Sequence, residues 1–416
     1  MSVGDIRRIS AHVNLRLSAP QQRSSDRMEI GIVGKPNVGK STFFKALTLA
    51  DVEIASFPFT TIQANIGVGW VRTDCVCRDF NVDCNPQNSY CVDRQRFIPV
   101  KVIDVAGLVP GAHMGKGLGN QFLDDLRRAD VLIHVVDISG RTDERGNSTE
   151  GYDPEFDIKF LEKEIDLWFY GILKRNWAKI SGKIRHTRKD LVKELTKQLS
   201  GLEVDEVDVK EAINKAELEG KLDWSDDDLR EFSIKLREIS KPILICGNKI
   251  DLDTKNFDRL KEKYRIIPTC SEAELALRRA EKSNIIRYLP GDSDLEILRD
   301  INEKQRNALD FIKRNILDKF GSTGVQKCLN TAVFDILKQI VVYPVENENK
   351  LTDSKGNVLP DAYLLPGGST ALDLAYKIHT DIGDRFIGAI DCRTRKKIGK
   401  DHVLKDRDVI KILVRK

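Results

Sequence analysis

The sequence predicts an α/β fold with an inserted helical hairpin and a terminal module of short strands. Three observations carry that expectation. The apolar run Ile30-Gly31-Ile32-Val33 passes through Gly34-Lys35-Pro36-Asn37-Val38-Gly39-Lys40-Ser41-Thr42 into a helical pattern, so a buried strand meets a helix across a glycine-rich loop. Two later apolar runs, Lys101-Val-Ile-Asp-Val-Ala-Gly107 and Lys241-Pro-Ile-Leu-Ile-Cys-Gly-Asn-Lys-Ile-Asp251, likewise end in short polar motifs. About a hundred residues separate Asp137, which closes another apolar run, from Pro242, far more than a loop needs.

The first run is G-x-x-x-x-G-K-S, a phosphate-binding loop (P-loop), and strand, loop and helix in this order make the domain Rossmann-like. A phosphate chain needs backbone N–H groups at close range, which Gly34 and Gly39 permit. Lys40 then faces the β- and γ-phosphates, and Ser41 is placed for magnesium. In the second run, D-x-x-G sets Asp104 to hold a magnesium-bound water and the Gly107 N–H to touch the γ-phosphate. Upstream, Phe57-Pro-Phe-Thr-Thr-Ile62 supplies Thr61, whose hydroxyl joins magnesium only while the γ-phosphate is present. The third run ends in N-K-x-D. The Asp251 carboxylate accepts two hydrogen bonds from the N1–H and exocyclic amine of guanine; adenine has no such donor pair, so GTP and GDP are the expected ligands. Asn248 bonds the base edge and the phosphate loop, and the stem of Lys249 covers the ring. Ile266-Ile-Pro-Thr-Cys-Ser271 is a strand ending in a polar turn, where a backbone N–H at Cys270 or Ser271 can meet the guanine carbonyl oxygen.

Inside the insertion, Phe156 to Tyr170 has the apolar recurrence of a helix, and Ile184, Leu191, Leu195 and Leu199 continue it in a second one. Two long antiparallel helices with a polar tip are expected. Between Lys174 and Lys197 stand nine cationic side chains, among them Lys179, Lys183, Arg185, Arg188 and Lys189, against only Asp190 and Glu194. Such a ridge is either a solvated surface with internal ion pairs or a contact for a phosphate backbone, ribosomal RNA above all. Trp168 and Trp177 lie among apolar residues at helical spacing and read as core. Leu295 to Lys338 reads as further helices, and from Ile340 short strands and turns take over. The domains expected are 28–154 with 241–338 for nucleotide binding, 155–240 for the helical insertion and 339–416 for the terminal module, preceded by a basic extension, 1–27.

A chain of 416 residues with 41% hydrophobic and 32% charged residues has ample material for several cores. No apolar run approaches the roughly 18 residues that cross a bilayer. The first 27 residues carry Arg7, Arg8, Arg16, Arg23 and Arg27 without an apolar core, so they are not a secretory signal, and a cytoplasmic, monomeric protein is expected. The net charge of +4 does not by itself argue for nucleic-acid binding. Of the eight cysteines, Cys246, Cys270 and Cys328 sit in apolar or motif contexts and read as buried. Cys75, Cys77, Cys84 and Cys91 share one loop with spacing C-x-C-x6-C-x6-C, which leaves three readings open: zinc held by four thiolates, chance clustering, or a disulfide staple.

Residues 34–42, Phe57 to Thr61, Asp104 to Asp130 and Asn248 to Asp251 together resemble the Obg-related translation-factor GTPases, and most closely their YchF branch, the Obg-like ATPases, in its archaeal form. The resemblance runs from Met28 to Lys416. Its last part is similar to a TGS module, a ubiquitin-like β-grasp fold, with Tyr363-Leu-Leu-Pro-Gly-Gly-Ser-Thr370 leading into a helix and a basic loop from Arg393 to Lys400. The family implies a nucleotide switch with slow intrinsic hydrolysis, linked to ribosomes or RNA in translation or stress control. Many members have lost the lysine and aspartate of N-K-x-D and resemble ATPases, whereas this chain keeps Asn248, Lys249 and Asp251; the alternative is an ATP-preferring hydrolase of the same family. Leu108 stands where many small GTPases carry a water-orienting glutamine. Asn37 either ligates a potassium ion bridging the phosphates, as in some GTPases without that glutamine, or braces its loop. His134, in Val131-Leu-Ile-His-Val-Val-Asp137, matches the family's proposed catalytic histidine; packing beside the switch loop is the other reading.

Overall fold

The computed structural model describes residues 28–49, 65–105, 119–187, 190–221 and 223–415, and Thr61, Gly107 and Leu108 lie outside them. The central strand, β1 (Glu29–Val33), is buried along its whole length. It lies parallel between β4 (Gln95–Asp104) and β5 (Val131–Asp137), and two further parallel strands, β6 (Ile243–Asn248) and β7 (Ile266–Pro268), complete that side. Strands covered on both faces need apolar residues at nearly every position, which is why these runs read as continuous rather than alternating. β2 (Ile66–Asp74) runs antiparallel to β4 and forms the far edge, with β3 (Tyr90–Val92) also on β4. Among the helices, α1 (Lys40–Thr48) follows β1, α2 (Cys77–Phe80) follows β2 and α3 (Gly119–Arg128) precedes β5.

Between β5 and β6 lies the insertion: α4 (Glu155–Thr187), α5 (Leu191–Leu199), α6 (Glu206–Lys215) and α7 (Asp226–Ser240). At 33 residues, α4 is about 50 Å long. The sequence placed Ile184 in the second helix, but it belongs to the first. The new helix starts at Leu191 because Asp190 takes an extended conformation and its carboxylate accepts from the Val192 N–H, capping α5. Trp168 and Phe232 are buried between these helices and the sheet face bearing Ile103 and Leu132, and Trp177 stacks on Trp224 at 4.9 Å. Trp168 is therefore core, as its spacing implied, while Trp177 is half-buried at the margin of the same cluster.

A short helix, α8 (Lys255–Leu260), links β6 to β7. Beyond β7 come α9 (Ser271–Lys282), a small hairpin of β8 (Ile286–Arg287) with β9 (Glu296–Ile297), and then α10 (Glu303–Ile312), α11 (Asp318–Phe320) and α12 (Val325–Asn330). The C-terminal sheet has the order β11-β10-β14-β12-β13. Its members are β10 (Gln339–Val345), β11 (Tyr363–Pro366), β12 (Phe386–Asp391), β13 (Lys396–Ile398) and β14 (Asp408–Val414), with α13 (Ala371–Ile378) and α14 (Thr380–Asp384) between β11 and β12. Thr370 caps α13 through a reciprocal pair with Asp373. This is a β-grasp arrangement, a mixed sheet with a helix on one face, and the basic stretch from Arg393 includes the hairpin strand β13. Val341, Tyr343 and Val409 of this sheet share a core with Ile98, Val102 and Leu329, so the module is packed onto the larger sheet. Among the described residues no helix is long and apolar enough to cross a membrane.

Candidate functional site

The loop from Gly34 to Gly39 leaves the carboxyl end of β1 and enters α1, which turns the positive end of a helix and its unpaired N–H groups toward any anion held there. Both glycines are required sterically. A Cβ on Gly34 would sit 2.6 Å from the Val135 carbonyl, and one on Gly39, whose φ is 92°, would collide with the Asn248 amide. Val38 is buried, while Pro36, Asn37 and Ser41 face outward and Thr42 is half-buried. Lys40 donates to the Asp104 carboxylate and, at 3.1 Å, to the Val105 carbonyl. The lysine that would meet phosphate and the carboxylate that would meet a metal thus face each other at the ends of α1 and β4.

Asn248 joins three loops. Its Nδ2 donates to the Val38 carbonyl at 2.8 Å, and its Oδ1 accepts from the Ser271 N–H at 3.0 Å and hydroxyl at 2.8 Å. Lys249, in a left-handed conformation with φ 62°, sends its ammonium back to the Asn37 carbonyl (2.9 Å) and the Asp137 carboxylate (2.8 Å). The Cys270 thiol donates to Asp251 Oδ1 at 3.1 Å, and burial first, then Asp251, pushes that thiol's pKa up. The N–H groups of Cys270 and Ser271 are both engaged, by the Thr323 carbonyl (2.9 Å) and by Asn248. Neither is left for the guanine carbonyl oxygen. The next donor along the chain is the Glu272 N–H, in the first turn of α9, where a helix supplies no acceptor of its own.

One residue of the phosphate loop is used differently from the sequence expectation, and another takes one of the two roles open to it. Lys35 is buried, and its ammonium lies over the Tyr152 ring at 4.0 Å, donates to the Thr142 carbonyl at 2.9 Å and pairs with Asp157 of α4 at 2.7 Å. Any contact it makes with phosphate would come from its backbone. Asn37 donates from its side chain to the Gly146 carbonyl at 2.9 Å, bracing the loop against the turn at 143–147.

Sequence reasoning missed Asp137, which is 1% exposed. One of its oxygens accepts from the Ser139 N–H and hydroxyl, the other from Thr142 and Lys249. The signal was present, since this acid ends the strand beside N-K-x-D, in register with Asn248. His134 sits on β5 opposite Val33, is 3% exposed, and its Nδ1 is buried without a hydrogen-bond partner among the described residues. Burial, with Lys35 adding to it, lowers its pKa to about 3, so the ring is neutral and enclosed.

Comparison with known proteins adds three family matches: 50S ribosome-binding GTPase over residues 29–167, Obg-like GTPase YGR210-like, G4 motif-containing domain over 246–347, and TGS domain over 355–414. An uncharacterized GTP-binding protein of Methanocaldococcus jannaschii is 53% identical, over 92% of this chain and 98% of its own length. The ribosome-binding ATPase YchF of Buchnera aphidicola is 27% identical, over 92% and 98%. A crystal structure of a GTP binding protein from Pyrococcus horikoshii superposes with a TM-score of 0.76 at 42% identity, covering 93% of this chain and all of that one.

Replacing Asp137 with Asn leaves the Lys249 ammonium without its anionic partner. Affinity for GDP is expected to fall by about 1.5–3 kcal/mol, roughly 10- to 100-fold, with the fold intact by circular dichroism. A pH dependence follows from His134. The unfolded chain takes up a proton near the ordinary value of 6.5, but the folded chain does so only near 3, so stability is full above pH 6.5 and is lost as pH falls through that window. Urea unfolding of the chain should lose up to about 1.4 kcal/mol per pH unit there from this residue, and His134→Gln should flatten the profile.

Proposed function

The chain belongs to the Obg-like GTP-binding proteins of the YchF branch, and from that premise we propose that it is a GTP-hydrolysing switch acting on ribosomes or RNA. The observation that carries the reading is the hydrogen bond from Asn248 to the phosphate loop, which ties the turn bearing Asp251 to that loop. Guanine offers Asp251 two donors and adenine none, so GTP is favoured over ATP, although relatives such as the Buchnera protein are named ATPases.

In this reading residues 28–154 and 241–338 form the nucleotide domain, 155–240 a helical arm and 339–416 an RNA-facing module. Gly34, Gly39 and the N–H groups through Thr42 cradle the phosphates. Lys40 exchanges its bond to Asp104 for the β- and γ-phosphates. The exposed Ser41 hydroxyl and the Asp104 carboxylate are hard oxygen donors suited to magnesium, which would neutralise phosphate charge there, with Thr61 joining them in the γ-phosphate state. Gly107 would report the γ-phosphate. With Leu108 unable to orient water, hydrolysis is slow, and Asn37 would hold potassium only by giving up some of its bracing role. His134, neutral and enclosed, is read as a packing residue. Zinc at Cys75, Cys77, Cys84 and Cys91 would stand outside this chemistry, since four sulfurs leave no open position.

On the helical arm, Lys183 pairs with Glu194 at 3.0 Å and Lys174 with Asp226 at 2.8 Å, so part of the basic ridge is internally compensated. Arg175 and Lys179 on α4, and Lys193 and Lys197 on α5, are exposed at i, i+4 spacing and remain available for a phosphate backbone.

For base recognition, Asp251→Asn should weaken GTP binding at least about tenfold and favour xanthosine triphosphate, whose ring carries a carbonyl where guanine has its amine. Equal binding of both nucleotides by wild type and variant, measured by calorimetry, would contradict the assignment. For the arm, binding to ribosomal RNA should fall with salt. Alanine at Arg175, Lys179, Lys193 and Lys197 should reduce the slope of log affinity against log salt by about one for each phosphate that is no longer neutralised. An unchanged slope would remove the arm from the RNA interface.

A further inference from the structure

The loop joining β2 to β4 carries four cysteines and meets the C-terminal sheet. Cys75 directly follows β2, Cys77 opens α2, Cys84 lies beyond it and Cys91 is in β3. All four sulfurs lie within 4.8 Å of one another, and none is disulfide-bonded. The Cys75 and Cys84 sulfurs are 3.9 Å apart. The edge of a tetrahedron with zinc–sulfur bonds of about 2.3 Å is roughly 3.8 Å.

A second observation fixes the charge of this cluster. Arg96 stands opposite Cys91 in the β3–β4 register and is 0% exposed. Its guanidinium donates to the Ser89 hydroxyl at 3.0 Å and the Leu359 carbonyl at 2.8 Å, and its Nε has no hydrogen-bond partner among the described residues; no carboxylate among them forms a direct ion pair with it, and Asp361 acts on it only from further off. A guanidinium does not shed its proton, and an uncompensated buried cation costs several kcal/mol. The sulfur cluster, whose member Cys91 stands directly opposite Arg96 in the register, can supply the negative charge. Four thiols are neutral, and so are two disulfides. Four thiolates around a dication carry a net negative charge, which is what Arg96 requires.

We propose that Cys75, Cys77, Cys84 and Cys91 bind one zinc ion as thiolates, and that this ion fixes the surface on which the C-terminal sheet docks. The outer side of the same loop makes that docking. The Asn85 N–H donates to the Val358 carbonyl (3.0 Å) and the Gln87 N–H to the Pro360 carbonyl (2.6 Å). Asn88 exchanges two hydrogen bonds with the Ala362 backbone, at 3.0 and 3.1 Å. Arg393, from the C-terminal sheet, pairs with Asp79 of α2 at 2.7 Å. Arg96 ties Ser89 and Leu359 together from beneath, so the metal, the loop and the docked module share one buried cation.

The test is metal analysis of the purified full-length chain, followed by cobalt(II) exchange. About one zinc per chain and the ligand-to-metal charge-transfer bands of a tetrahedral tetrathiolate are expected. Arg96→Leu should lower zinc affinity roughly 10- to 100-fold. Cys84→Ser with Cys91→Ser should abolish tight binding and speed amide hydrogen exchange in residues 75–91 and 357–362 together. A metal-free chain with four alkylatable thiols, or a disulfide found by mass spectrometry, would overturn the site. Zinc binding without any change of exchange at 357–362 in the cysteine variant would overturn its docking role. If that variant fails to fold, the zinc content and cobalt spectrum of the wild type decide the first point, and exchange at 357–362 in the wild type before and after removal of zinc by a chelator decides the second.

Discussion

The nucleotide site depends on the side chain of Asn248. One buried amide holds the phosphate loop at Val38 and the α9 turn at Ser271, and its position forbids any side chain at Gly39. Lys249 repeats the link a residue later, through Asn37 and Asp137. Each bond left unmade would strand a buried polar group at a cost of about 1–3 kcal/mol. The loops proposed to hold phosphate and base are therefore parts of one network, and neither can move far alone. The strand order makes this possible: β5 separates β1 from β6, and Asp137 and Asn248 are neighbours in register at the carboxyl ends of their strands.

The same site is anchored to the helical arm. Lys35 crosses from the phosphate loop to Asp157 in the first turn of α4, beneath the Tyr152 ring, with both side chains nearly enclosed. Breaking such a pair from one side leaves an uncompensated buried charge. A displacement of the loop at Lys35 is thus felt at the root of α4. On the opposite edge, the four-cysteine loop connects the sheet to the C-terminal module. The nucleotide domain therefore holds each of its two appendages through a buried cation, Lys35 on one side and Arg96 on the other.

Much of this was legible in the sequence because it is local. The glycines and Lys40 of the phosphate loop, the N-K-x-D turn and the strands before them are each specified by a few adjacent residues. The core role of Trp168 followed from spacing alone. What the sequence did not reveal depends on pairing across long separations. The commitment of Lys35 to Asp157 requires α4 to return to the loop, and the engagement of the Cys270 and Ser271 N–H groups requires Thr323 and Asn248 to meet them. The cysteine spacing lacks the paired knuckle of a familiar zinc motif; the antiparallel pairing of β3 with β4 and the turn of α2 bring the sulfurs together. The second helix was expected to start earlier and to be long, but it spans only nine residues from Leu191: apolar periodicity continues through Asp190, and a single capping carboxylate outweighed it.

The central claim is that the Asn248 network holds Asp251 as a selector for guanine. Titration calorimetry of the nucleotide-free chain with GDP and ADP, in potassium and magnesium, tests it most directly. Clear preference for GDP is predicted, by at least about tenfold. Equal or tighter binding of ADP would mean that Asp251 does not meet the base, and the ATP-preferring reading would replace this one.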